Sequence, residues 1–175
     1  MSFISELFGR KNANLVMQPL YAAIIAEGRD LDWYEQGAVP DTLDGRFDMI
    51  AAILCAVMIR LDQDEEARQE IAWLTELFVD DMEGQLRQIG IGDMVVGKRI
   101  KEIMGALGGR MGAYREGLTG NANLDAALTR NLYRDEMPEP AALAFTTKGF
   151  ADVHHRLTET SIDQVISGNI AKVSS

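Results

Sequence analysis

The chain has 175 residues, with 47% hydrophobic and 25% charged residues and a formal net charge of -10. That length and balance suit one domain with a single sizeable core, and four prolines without a long polar tract exclude a disordered chain. The acidic surface disfavours nucleic acid as a partner over the molecule as a whole.

The hydropathy pattern is helical nearly throughout, with no sustained period-two alternation. The expected fold class is all-α: a compact helical domain of about six helices around a central apolar helix. It spans residues 15–160, between an N-terminal amphipathic segment (1–14) and a C-terminal tail (161–175). Near the N-terminus, Phe3, Ile4, Leu7 and Phe8 precede Arg10 and Lys11. Such a segment rests on a membrane surface or a partner, docks on the core, or frays.

The first core helix is expected from about Val16 to Glu27, with Asn14 as N-cap and Pro19 in its first turn. Residues 28–45 read as a loop with a short turn at Asp32 to Gln36. The second helix, Arg46 to Leu61, contains the apolar run Met49–Ile59 and is apolar all round, so it is expected at the buried centre. That run falls short of the ~20 residues needed to span a bilayer. Asp64 is expected to cap a third helix, Glu65 to Gln88, which Gly90 ends. Asp93 is expected to cap a fourth, Met94 to Leu118. A fifth spans Leu124 to Tyr133, and a last one starts near Ala141 and runs to about Thr158. The tail from Ser161 is weakly helical at best.

The chemistry-bearing constellations are sparse. Cys55, the single cysteine, lies inside the apolar run and reads as a buried inert thiol rather than a nucleophile. Without an internal disulfide the chain suits a reducing compartment. Glu76, Asp80 and Glu83 share one helix face, but Asp152-x-x-His155 is the one approach to a matching metal motif. His154 and His155, the only histidines, point about 100° apart on a helix. No Walker loop, Gly-x-Ser-x-Gly or Cys-x-x-Cys occurs. Neither a metal site, a cofactor nor an enzyme is indicated. Gly105, Gly108, Gly109 and Gly112 line one helix, and either pack against a neighbour or leave a groove for a partner helix.

Charge is unevenly spread. Residues 62–83 hold nine acidic residues against Arg68, and residues 84–115 hold six basic residues against Asp93 and Glu102. The two faces either pair internally or leave positive charge for a partner.

Two polar turns stand out against these apolar helices: Pro40-Asp41-Thr42-Leu43-Asp44-Gly45-Arg46-Phe47-Asp48, and Leu86-Arg87-Gln88-Ile89-Gly90-Ile91-Gly92-Asp93-Met94-Val95-Val96-Gly97-Lys98-Arg99. With Arg60-Leu61, Gly109-Arg110 and Ala113-Tyr114, they resemble the ubiquinol–cytochrome c chaperone family over roughly residues 37–160. The family's usual histidine in the apolar helix is replaced by Ile53-Leu54-Cys55, and the aromatic pair before Gly109-Arg110 is Leu107-Gly108. The resemblance implies a bacterial, non-enzymatic assembly chaperone for respiratory complex III, with newly made cytochrome b as client. A ribosome or a second assembly factor is a further partner on this reading. The competing reading is a small-ligand or haem-binding helical domain with His154 or His155 as ligand.

From the residues, Arg87, Ile91, Met94, Val95, Lys98, Arg99 and Lys101 are expected to form one edge of the partner surface. Pro40, Asp41, Asp44, Gly45, Arg46, Gly90, Gly92 and Asp93 are expected to hold the loops. No basic n-region precedes the first apolar residues, so the chain is expected in the cytoplasm, peripheral to the inner face of the plasma membrane when a partner recruits it.

Overall fold

A computed structural model describes residues 14–170. Among them the chain is helical, with no strand. A 3-10 turn, Asn14–Met17, leads into α1 (Gln18–Gly28), followed by the short α2 (Asp32–Glu35) and the long α3 (Leu43–Leu61). A second 3-10 turn, Glu65–Ala67, opens α4 (Arg68–Gln88). Then come α5 (Asp93–Leu118), α6 (Leu124–Leu132), α7 (Pro140–Glu159) and α8 (Ile162–Ile166).

The apolar run dictates the centre. Every residue from Met49 to Ile59 is buried, so α3 has no solvent face over three turns. α1, α4, α5, α6 and α7 pack around it. Aromatic rings fill the layers between them: Phe47 and Phe78 lie 5.7 Å apart, and Tyr114 and Phe150 4.9 Å. The one amphipathic stripe of α4 turns Leu74, Phe78 and Met82 inward.

Local chemistry sets the helix ends, not always where the pattern suggests. Thr42 caps α3, its hydroxyl accepting the Gly45 amide at 3.0 Å. Asp64 caps the Glu65–Ala67 turn. Asn14 caps nothing: it is buried, and its amide donates to Glu76 at 3.5 Å. Gly92, not Asp93, is the N-cap of α5, and no side chain caps that helix. The Asp93 carboxylate turns back to accept from Arg87 instead. The weakly patterned stretch after residue 160 also differs from expectation. Ser161 caps α8, and Val165 and Ile170 are buried beneath α1. The expected N-terminal amphipathic segment lies outside the described residues, apart from its last residue.

Candidate functional site

The N-terminal turns of α3, the C-terminal turns of α4 and the first half of α5 enclose a half-open groove of about 360 Å³. Leu43, Phe47, Met82, Leu86, Ile89, Ile91, Ile103 and Ala106 make its apolar lining. Asp44, Asp48, Glu102, Arg99, Arg110 and Arg134 make its polar parts. The two polar turns singled out in the sequence, about forty residues apart, are thereby opposite walls of one cleft.

Its base is held by a buried ion cluster. Asp48 is 1% exposed and accepts from Arg110 at 2.6 Å and from Arg134 at 2.9 Å. Arg134 also reaches Asp44 at 3.0 Å, and Arg110 lies 6.0 Å over the Phe47 ring. A carboxylate so far from water needs both guanidinium groups to offset its desolvation. Arg134 and Asp135 hold left-handed backbone, with φ of 53° and 65°. For residues other than glycine this costs on the order of 1–3 kcal/mol each. The turn that lays Arg134 across Asp44 and Asp48 is therefore strained.

The first wall is built from Pro40 onward. A Cβ on Gly45 would collide with the Pro40 carbonyl oxygen, so only glycine lets the loop close on the start of α3. Arg46 donates to Asp41 at 2.6 Å, and that hydrogen bond holds the exposed Asp41 carboxyl below the usual range. At the second wall, Gly90 ends α4 with φ of 83°, a conformation other side chains rarely adopt.

The structure splits the expected partner edge. Ile91 and Arg99 line the groove. Arg87 is taken by Glu83 at 3.2 Å and Asp93 at 3.3 Å. Met94, 93% exposed, shares the outer face of α5 with Lys98 and Lys101, one turn apart each. Val95 is exposed beside them. Lys98 and Arg99 reach Glu102 only at 4.0 Å and 3.6 Å, and Lys101 has no ion pair among the described residues. Of the acidic face of α4, Glu83 meets Arg87 of the basic segment, whereas Asp81 accepts from Tyr21 at 2.8 Å. Between the two charged segments, Arg115 reaches back to Asp62 at 2.7 Å.

Further along the same outer face lie Gly105, Gly108 and Gly112, with Gly109 beside them. Among the described residues, nothing stands within 4 Å of a Cβ placed on any of the four. None of the described helices therefore packs against them.

Away from the groove, His154 is half-buried and its pKa is lowered by burial and by His155. Asp152 is tied to Lys148 at 2.6 Å. No group of three or more His, Cys, Asp or Glu converges among the described residues. Cys55 is fully buried, and burial pushes its thiol up to about 12.

Sequence reading missed Asp48 as the hub and gave no role to Arg134. The partners stand 62 and 86 residues from Asp48. The signal that could have found Asp48 is its place between Phe47 and the unbroken apolar run Met49–Ile59.

A family model for the ubiquinol-cytochrome C chaperone matches residues 35–172. The chain belongs to the ubiquinol–cytochrome c chaperone family. The match takes in both walls of the groove and the Asp48, Arg110 and Arg134 cluster. No curated protein matches significantly. Among solved structures, the crystal structure of the Cbp3 homolog from Brucella abortus is similar, with 30% sequence identity and a TM-score of 0.79 over 98% of this chain and 97% of that one. The fold of this family member is thus all-helical from α1 to α8. None of its described helices is long and apolar enough to cross a membrane.

Proposed function

We propose that this chain is an assembly chaperone for ubiquinol–cytochrome c reductase that binds newly made cytochrome b in the groove between α3, α4 and α5. Family membership supplies the process. The observation that carries the site is that both distinctive turns of the sequence converge on one half-open apolar cleft. A chaperone for an apolar client needs an apolar surface that water reaches, held open by something other than the client. Leu43 and Ile89 at the rim are more than half exposed, and the Asp48 cluster props the base.

The groove does this by shape and burial rather than by bond chemistry. A client segment entering it would cover Phe47, Leu86 and Ile91, and each Å² of apolar surface removed from water contributes roughly 25 cal/mol. Arg99, Glu102 and Arg134 at the rim offer donors and acceptors to the ends of that segment. The exposed glycine face of α5 gives a second element of the client a place of close backbone approach. The remaining corner residues, Arg87, Met94, Val95, Lys98 and Lys101, flank the mouth.

Deletion of the gene tests the reading. The expected outcome is loss of cytochrome b on an immunoblot, together with loss of assembled complex III and no change in cytochrome b messenger RNA. Normal cytochrome b and normal complex III in the deletion strain would overturn it.

A further inference from the structure

We infer that the corner between α4 and α5 is a docking surface for an anionic lipid bilayer. Met94, Lys98 and Lys101 recur at i, i+4 and i+7, so they share a stripe of α5 turned away from buried Val96 and Leu107. Val95, 52% exposed, follows Met94 at the start of that stripe, while Ile89 at the turn belongs to the groove's rim. Exposed apolar tips in line with exposed lysines are what an interfacial contact needs. The apolar side chains enter the boundary between headgroups and acyl chains, and the long lysine stems keep their ammonium groups at the phosphates.

Among the described residues, the charge distribution favours this corner. Residues 83–102 hold four basic residues (Arg87, Lys98, Arg99, Lys101) against three acidic ones (Glu83, Asp93, Glu102), a net of +1 in a chain of net -10. An anionic surface therefore repels most of the molecule and attracts this end, which fixes the orientation of approach. Internal pairing consumes Arg87, held by Glu83 and Asp93, but leaves the two lysines available: Lys98 meets Glu102 only at 4.0 Å, and Lys101 has no ion pair among the described residues. A concave, ion-propped site such as the groove suits a folded segment. Met94, Lys98 and Lys101 line neither the groove nor the two smaller cavities, so a lipid surface suits this stripe better than a folded segment. Ile91 and Arg99 lie on the groove side of the same turn, which places the groove mouth beside the bilayer surface.

The inference stands independently of the client, and its vesicle arm contains none. The full chain is sedimented with phosphatidylcholine vesicles, with and without phosphatidylglycerol. It should pellet with the anionic vesicles alone, and release at about 1 M salt, where the Debye length falls to ~3 Å. Lys98→Glu with Lys101→Glu, and separately Met94→Asp, should each weaken binding at least about tenfold. Lys98→Arg with Lys101→Arg should retain it. All these positions are exposed, so melting temperatures should not move. Failure to bind anionic vesicles would overturn the inference. Undiminished binding by the charge-reversed and Met94→Asp variants would overturn it as well, by placing the lipid contact elsewhere. Variants that lose capture of cytochrome b while keeping vesicle binding would make the corner a protein contact instead.

Discussion

Asp48 is the residue on which the groove depends. Its carboxylate is the shared acceptor for two arginines, Arg110 from α5 and Arg134 from the turn after α6. Removing it leaves Arg110, itself largely buried, with an uncompensated charge. Asp48→Ala is expected to cost about 3–5 kcal/mol, the usual penalty for breaking a buried pair from one side. Arg134→Ala should cost less, because that side chain is half exposed and its release relieves a left-handed backbone only in part. Urea denaturation of the two variants measures the difference, and equal small losses would show that Asp48 is not the brace. Cys55 offers a second test of the interior. Burial raises its pKa from 9.0 to about 12. A raised pKa means that the folded state holds the proton more tightly than the unfolded chain. The stability it contributes is full below pH 9 and is lost as pH rises from 9 toward 12. At about pH 8 the native thiol should resist iodoacetamide, and react only when denaturant is added. Rapid alkylation of the native protein would contradict the burial of α3.

At the scale of elements, α5 carries the clearest conflict between stability and use. Glycine in a helix interior costs roughly 1 kcal/mol relative to alanine, and here no packing by the described residues offsets that cost. Gly105→Ala with Gly108→Ala is therefore expected to raise stability by about 2 kcal/mol, seen as a higher melting temperature. A fall would mean that the helix face is occupied in a way the open space around these positions denies. The same elements show what the sequence could and could not reveal. The central position of α3 was legible because Met49–Ile59 leaves no polar face to expose. The end of α4 was legible because Gly90 takes a backbone conformation that glycine favours. The N-terminus of α5 was not, since Asp93 satisfies both the cap pattern and a salt bridge with Arg87, and the salt bridge won. α8 was missed because five residues show no period; what orders it is burial of Val165 and Ile170 against α1, a tertiary contact. Arg134 was illegible for a related reason: its partners are 86 and 90 residues away, and an isolated arginine after a tyrosine carries no pattern.

Over the whole molecule, the arrangement separates what must be rigid from what must be reached. α3 and the helices around it form a dry core. The two signature turns sit at one end of it and open a cleft between them, with positive charge gathered beside the mouth and negative charge spread elsewhere. Family membership states the process, the assembly of ubiquinol–cytochrome c reductase, and we propose the cleft as the place where this chain offers an apolar client shelter from water. The claim that joins them is that cytochrome b occupies the groove. Site-specific crosslinking from Ile91 to newly made cytochrome b tests it most directly, in protein with native groove residues and in Leu43→Asp with Ile89→Asp. Both substituted residues are more than half exposed, so the fold and melting temperature should be unaffected. The account predicts an Ile91 crosslink to cytochrome b that falls at least about tenfold in the variant, as charged groups replace apolar contact at the rim. An undiminished crosslink in a stably folded variant, or none from Ile91 at all while other faces of the protein crosslink, would contradict it.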